Sequence, residues 1–284
     1  MEVVVGSLAG FCDGVKRAVL SAEEAVSNRK KVYCLGELVH NAQVVDDLKQ
    51  KGLLFINTID EAENGSSVII RAHGEPVSTY EIAKRKGIEI IDLTCVNVKI
   101  IHDIIIKAKE DSFIILIGKK SHPEVIASIS YAGDNCFIVE SEDDILDAYM
   151  EYEKTMCGKV YVLSQTTIAE EVFEKISKEI ETNFAEADVI IDNTICLATE
   201  NRQREVAAMA NRYKTMVIVG GKNSSNTKEL ANIAEKYANK IYLVETAEEL
   251  KEYSFDSTET VGIMAGASTP NSSIEEVKNY LENL

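Results

Sequence analysis

Short apolar segments alternate along the whole chain with stretches in which apolar residues recur every three or four positions. The apolar segments are typical of buried strands, and the spacing of three and four is typical of amphipathic helices. The pattern predicts ten strands: 2–6, 31–36, 67–72, 88–93, 112–118, 159–164, 188–193, 215–221, 240–245 and 260–266. Alternation of this kind favours an α/β fold with parallel sheets.

The polar and thiol-bearing segments of the chain follow the predicted strands. They read GFCDG, HGEP, TCVN, SHPE, QTT, TICLAT, SSNT and GASTP, and nearly all lie just past the carboxyl end of a strand. Open parallel sheets bind ligands at that edge. All three prolines and two of the four histidines fall in these loops, which favours one shaped site.

Three cysteines follow strands in a similar way. IIDLTC (90–95) and IIDNTIC (190–196) each end in a cysteine that enters a helix, and Cys12 has the same setting. These three positions divide the chain roughly into thirds. We therefore expect three small α/β lobes with parallel sheets, each contributing one thiol to a shared centre, with boundaries near 14–95, 96–192 and 193–284.

Charge and composition narrow the class of protein. Lys and Arg number 30 against 47 Asp and Glu, and the net charge of −17 disfavours a nucleic-acid or anionic-membrane surface. The N-terminal MEVVVGSLAG has no features of a secretory signal, so we expect a cytoplasmic protein. In a reducing compartment its cysteines are thiols or metal ligands.

Thiols at the N-termini of helices suit metal binding because the helix dipole favours their ionised form. Structural zinc sites use four ligands, often in closely spaced pairs, which single distant cysteines do not provide. An iron–sulfur cluster held by three cysteines would leave one iron open to substrate. The alternative is that they are inert buried thiols. Cys34 lies inside an apolar strand, Cys136 begins a short apolar segment and Cys157 lies in a loop, and none of the three has this pattern.

Two segments could bind an anion without net positive charge. GGKNSSNTKEL (220–230) places hydroxyls and an amide at the start of a helix, and GASTP (266–270) adds Ser268. Simple helix capping is the alternative. His40, His73 and His122 follow strands and suggest phosphate binding or proton transfer, whereas His102 lies within a helix and is interpreted as a structural or surface residue.

Glu124, two residues beyond His122, could protonate a leaving hydroxyl, although a first-turn Glu is also favoured by the helix dipole. Thr166, in SQTT, could orient such an acid or cap a helix.

Nine of these motifs together resemble the IspH (LytB) family of 4-hydroxy-3-methylbut-2-enyl diphosphate reductases. They occur in family order along essentially the whole chain: GFCDGVKRAV, LVHNAQVV, RAHGEP, DLTC, SHPEV, SQTT, TICLATENRQ, GGKNSSNT and GASTP. The sequence departs from the common pattern at Val96, where Pro is usual, and at Ser121, where Gly is usual. These departures leave every expected ligand intact but alter two loops.

The resemblance implies an oxidoreductase that removes the hydroxyl of its allylic diphosphate substrate, giving isopentenyl and dimethylallyl diphosphate. It implies a 4Fe–4S cluster on Cys12, Cys95 and Cys196, with ferredoxin or flavodoxin as electron donor. It assigns the proton relay to Glu124 and Thr166, with His122 beside it, and places the N-terminal strand 1–13 in the third lobe. The implied diphosphate ligands are His40, His73, His122, Ser224, Ser225, Asn226 and Ser268.

Two other functions remain open at this point. One is a three-lobed iron–sulfur dehydratase of the quinolinate synthase kind, which would use the open iron without net reduction. The other is a cluster-free α/β protein that binds a phosphorylated metabolite.

Overall fold

The structure is a computed structural model that describes residues 1–29 and 31–284. Its strands are β1 (Val3–Val5), β2 (Val32–Leu35), β3 (Leu54–Ile56), β4 (Ser67–Ile70), β5 (Glu89–Asp92), β6 (Ser112–Ile117), β7 (Cys136–Val139), β8 (Lys159–Ser164), β9 (Asp188–Ile191), β10 (Thr215–Val219), β11 (Lys240–Val244) and β12 (Val261–Ala265). Its helices are α1 (Asp13–Asn28), α2 (Ala42–Gln50), α3 (Val77–Lys86), α4 (Val96–Ala108), α5 (Pro123–Ile129), α6 (Ile145–Tyr152), α7 (Glu170–Asn183), α8 (Leu197–Arg212), α9 (Ser225–Glu235) and α10 (Asn271–Glu282). No helix in this described part is both long and apolar enough to cross a bilayer.

The strands form three four-stranded parallel sheets, which confirms the predicted fold class. Their orders are β1-β12-β10-β11, β3-β2-β4-β5 and β7-β6-β8-β9. All ten predicted strands are present, and the pattern missed β3 and gave β7 only as a short apolar segment beginning at Cys136. β3 has three residues at a sheet edge, and its Leu54 is 41% exposed, so it lacks the continuous apolar signal of a buried strand.

The three sheets share one topology. In each sheet one inner strand, β2, β6 or β10, pairs on one side with the next strand along the chain, β3, β7 or β11. On its other side it pairs with the strand after that, β4, β8 or β12, and the remaining strand forms the far edge. That far-edge strand is β5, β9 or β1, and in the third sheet it comes from the N-terminus, where Val3 pairs with Val261 of β12. The same unit is thus built three times.

Two compact units divide the chain. One comprises residues 1–20, 39–51 and 197–284 and contains the sheet of β1, β10, β11 and β12. The other comprises 21–38 and 52–196 and contains the other two sheets. The segment 39–51, which includes α2, belongs to the first unit although it lies between β2 and β3 in sequence. The three lobe boundaries expected from the sequence stay a prediction.

The central strands are buried on both faces because helices cover them. In β6, Phe113, Ile115 and Ile117 pack into one apolar cluster. Ile114 and Leu116 pack into another on the opposite face. Burial of each such side chain contributes about 1.5–3 kcal/mol, so these strands anchor the loops that follow them.

A glycine directly follows the inner strand β2, β6 or β10 of each sheet. The N–H groups of Gly36, Gly118 and Gly220 donate to the carbonyl that ends the adjacent strand, at 2.8, 3.0 and 2.9 Å. Gly220 has a φ of +149°. A Cβ there would lie 2.7 Å from Thr269 Oγ1 and 2.8 Å from Thr227 Oγ1, so this turn requires glycine.

We expect Gly220→Ala to destabilise the protein by about 1–3 kcal/mol, because both the backbone and the neighbouring hydroxyls must shift. The midpoint of thermal unfolding measures the effect. Gly158→Ala is the matched control, since no atom lies within 4 Å of a Cβ at that position. Equal midpoints for the two variants would contradict the requirement.

Candidate functional site

The three cysteines predicted to act together occupy equivalent positions in the three sheets. Each follows the far-edge strand, and the next residue begins a helix: α1 after Cys12, α4 after Cys95 and α8 after Cys196. Their N–H groups donate to Ala267, Ala72 and Thr166 at 3.1, 3.0 and 3.2 Å. Each acceptor carbonyl lies two residues beyond the strand that neighbours the cysteine's own.

The cysteines suit a thiolate-bound metal group. All three are half-buried, and none of the six cysteines, which all lie within the described residues, forms a disulfide. In the first turn of α1 the N–H of Val15 donates to Cys12 Sγ at 3.4 Å. Three thiols at matching helix N-termini therefore fit an iron–sulfur cluster by donor type and local setting.

Glu124 and Thr166, predicted from separate loops, meet in the second unit. Thr166 donates its N–H to Glu124 Oε1 at 2.6 Å and its hydroxyl to Oε2 at 2.8 Å. Burial raises the pKa of Glu124 from 4.5 to about 7, against the lowering effect of these two hydrogen bonds. The side chain can therefore hold or release a proton near neutral pH.

Thr166 also connects this carboxyl group to a cysteine. Its carbonyl accepts the Cys196 N–H, while its N–H and hydroxyl bind Glu124. Thr166, two residues beyond β8, thus orients both the predicted acid and the loop that carries a predicted ligand.

His122 and His73 lie together in the same unit, with ring centroids 5.4 Å apart and an angle of 84° between the rings. His122 caps α5, and its Nδ1 accepts the N–H of Glu124 at 3.2 Å. This hydrogen bond requires an unprotonated Nδ1, so in the neutral ring the proton is on Nε2.

The other unit brings the hydroxyl-rich loops near His40. Ser268 donates its hydroxyl to the His40 carbonyl at 3.1 Å. Ser224 caps α9 by accepting the Thr227 N–H, and Ser225 is the first residue of that helix. Asn226 is 6% exposed, and its Nδ2 has no hydrogen-bond partner among residues 1–29 and 31–284. An anion at this helix N-terminus would satisfy that amide.

Two residues outside the candidate site, His102 and Cys34, are buried. His102 is buried and stacks on Tyr131 with centroids 4.3 Å apart, and burial lowers its pKa to about 4. Cys34 lies within β2, where burial raises its pKa to about 12 and leaves it unreactive.

Neither the backbone acceptors of the cysteine N–H groups nor the repeated glycines were predicted from the sequence. The acceptors carry no side-chain signal, because Ala72 and Ala267 act only through carbonyl oxygens. The glycines are visible in the sequence. LGE, IGK and VGG each begin with the last residue of a strand, and the glycine comes next in all three sheets.

The fold and site define a class of α/β protein with three repeated parallel sheets, each presenting one cysteine at a helix N-terminus. Residues 3–282 match the family model described as LytB protein. The 4-hydroxy-3-methylbut-2-enyl diphosphate reductase of Aquifex aeolicus (strain VF5) is 40% identical, with 100% of this chain and 97% of that protein covered. The reductase of the same name from Clostridioides difficile (strain 630) is 36% identical over the full length of both.

Solved structures agree with the sequence comparison. The structure of (E)-4-hydroxy-3-methyl-but-2-enyl diphosphate reductase, described as the terminal enzyme of the non-mevalonate pathway, matches with a TM-score of 0.72 at 39% identity, covering all of both chains. The Plasmodium falciparum E-1-hydroxy-2-methyl-but-2-enyl-4-diphosphate reductase matches with a TM-score of 0.86 at 29% identity, covering 100% of this chain and 87% of that one. The chain belongs to the LytB protein family.

The raised pKa of Glu124 predicts a pH dependence of stability. A folded-state pKa above the unfolded value means that the folded protein binds the extra proton, so this contribution is full below pH 4.5 and is lost as the pH rises to about 7. Glu124→Gln removes it, and we expect the unfolding midpoint of the variant to fall less between pH 4.5 and 8. Glu275→Gln, on the exposed side of α10, is the control and should follow the parent protein. Parallel pH curves for parent and Glu124→Gln would contradict the assignment.

Proposed function

We propose that this chain is a 4-hydroxy-3-methylbut-2-enyl diphosphate reductase that uses a 4Fe–4S cluster on Cys12, Cys95 and Cys196. The observation that carries the proposal is the equivalent placement of these three cysteines, each at a helix N-terminus beside a far-edge strand. Full-length identity of 36–40% to reductases of that name supports the substrate.

The reaction consumes two electrons and two protons. The bond between carbon and the allylic hydroxyl breaks, one proton leaves with the hydroxyl as water, and the second proton adds to carbon to give isopentenyl or dimethylallyl diphosphate. When bound, the cluster would supply the electrons and an iron without a protein ligand as a Lewis acid for the hydroxyl.

Glu124 is the proposed proton source. Its pKa of about 7 leaves a useful protonated fraction at neutral pH, which a general acid needs. Thr166 holds both carboxyl oxygens and so limits the rotation of the acid. His122, whose Nδ1 is occupied by the Glu124 N–H, presents Nε2 as its donor.

The diphosphate is proposed to bind the residues that the family resemblance implies: His40, His73, His122, Ser224, Ser225, Asn226 and Ser268. Backbone N–H groups, hydroxyls and the Asn226 amide would neutralise its charge by hydrogen bonding. Such donors can hold an anion despite the net charge of −17. Ferredoxin or flavodoxin as donor, and a cytoplasmic location, are further parts of the proposal.

The function is tested by anaerobic incubation of the chemically reduced protein with the hydroxylated diphosphate, with iron and sulfide measured in the same sample. We expect loss of the hydroxyl and formation of the two C5 diphosphates. Bound iron and sulfide with an unreduced substrate would favour the dehydratase alternative. Absence of iron and sulfide would favour the cluster-free binding protein.

We expect Cys12→Ser, Cys95→Ser and Cys196→Ser each to lose most of the bound iron and sulfide, because a three-ligand cluster has no spare thiolate. Cys157→Ser is the matched control, since Cys157 is also half-buried but precedes β8 in a loop outside the repeat. Retention of iron by all three variants would contradict the ligand assignment.

We expect Glu124→Gln to bind the substrate with little change but to lower kcat by about 10²–10⁴-fold, the usual contribution of a positioned acid. The amide keeps an acceptor for Thr166 but has no acidic proton. Steady-state kinetics and direct binding of the diphosphate separate the two effects. A kcat equal to that of the parent protein would refute the role of Glu124.

A further inference from the structure

The loop that carries Cys12 is the longest of the three cysteine loops. Residues 6–11 separate β1 from Cys12, whereas only 93–94 separate β5 from Cys95 and 192–195 separate β9 from Cys196. The two shorter loops are held by their own side chains. Asp92 accepts the N–H and hydroxyl of Thr94, and Asn193 accepts the Ile195 N–H at 3.0 Å. A longer loop without such support has more conformational freedom to lose.

Glu205 supplies the missing support from a distant part of the chain. Its Oε1 accepts the N–H and the hydroxyl of Ser7 at 2.7 and 2.6 Å, and its Oε2 accepts the Leu8 N–H at 2.8 Å. One carboxylate thus satisfies three donors of the loop. Hydrogen bonds to a charged acceptor are about twice as strong as neutral ones.

Arg202 holds the same loop nearer to the cysteine. Its Nη2 donates to the Gly10 carbonyl at 2.8 Å, and its Nη1 donates to the Ala198 carbonyl at 2.9 Å. The side chain is only 5% exposed. Gly10 has a φ of +101°, a conformation that an external hydrogen bond helps to keep.

Arg202 and Glu205 are three residues apart on α8 and therefore share one face of that helix. Together they bind Ser7, Leu8 and Gly10, which lie two to five residues before Cys12. On the cysteine side, the Cys12 N–H is held by Ala267. The loop is thus attached along its length.

We infer that Arg202 and Glu205 are positioning residues for Cys12, and that α8 holds this thiol in place for its metal group. Neither side chain is assigned to the metal or the substrate. The inference rests on the proposed function in taking Cys12 as a cluster ligand. Its local part, restraint of the Cys12 thiol by α8, can be measured without iron.

The test is site-resolved alkylation of Glu205→Gln under anaerobic conditions, with iodoacetamide as the probe and metal removed by a chelator. The amide has one acceptor oxygen in place of two, so at least one loop donor loses its partner. We expect Cys12 to be alkylated about tenfold faster, as the loss of a charged hydrogen bond predicts. Cys95 and Cys196 should stay within about twofold of the parent rates, because their loops keep their own hydrogen bonds.

Glu275→Gln is the control for the loss of one carboxylate, since Glu275 is exposed on α10. Ser7→Ala is a milder second variant that removes only the hydroxyl donated to Glu205, and we expect about a threefold rise at Cys12. If Glu205→Gln does not fold, Ser7→Ala decides by the same comparison. Unchanged Cys12 alkylation, or an equal rise at all three cysteines, would overturn the inference.

A second measurement follows iron release from the anaerobically purified holoprotein to a chelator. We expect Glu205→Gln to release iron faster than Glu275→Gln, with an unfolding midpoint close to that of the control. A parent protein without iron and sulfide refutes the proposed function, and the alkylation rates still decide the role of α8. A parent with iron but no selective change at Cys12 refutes the inference alone.

Discussion

The hydrogen bond between each cysteine N–H and the loop of the neighbouring strand is the constraint on which the predicted centre depends. It joins the loop that follows each far-edge strand to the loop that follows the neighbouring strand, so the backbone of each cysteine is attached to the sheet edge. The neighbouring strands β4, β8 and β12, which lead to the acceptor carbonyls, are largely buried, and close packing around them keeps that edge rigid. Repetition of the same contact in three sheets gives three thiols one local geometry.

The electrostatics of the site depend on burial more than on charge. Glu124 lies in a buried position where the hydrogen bonds from Thr166 partly offset the cost of burying its ionised form, and this balance keeps its proton available near neutral pH. The loops of the other unit offer hydroxyls, N–H groups and the Asn226 amide where an anion is expected. An acidic protein can bind an acidic ligand in this way, because local dipoles act at short range while the net charge is screened by salt.

Several elements show which parts of the fold the hydrophobic pattern can predict and which it cannot. Central strands such as β6 were predicted because all of their residues are apolar. The edge strand β3 was missed because it is short and half-exposed. The repeat of strand, cysteine and helix identified the three equivalent positions, since a thiol at a strand end is visible in the sequence. The segment 39–51 shows the opposite case: its place in the first unit is set by long-range contacts such as that between Gln43 and Ser273.

The α/β class, the parallel sheets and the set of candidate residues could all be predicted from the amino-acid sequence, because periodicity and residue type are local properties. Tertiary structure alone decided which of these residues meet. The pairing of Glu124 with Thr166 joins positions 42 residues apart, and the pKa of the acid follows from the burial that results. The contact of Glu205 with Ser7 spans 198 residues. No local pattern encodes such contacts, because they arise from the packing of elements that are distant in the chain.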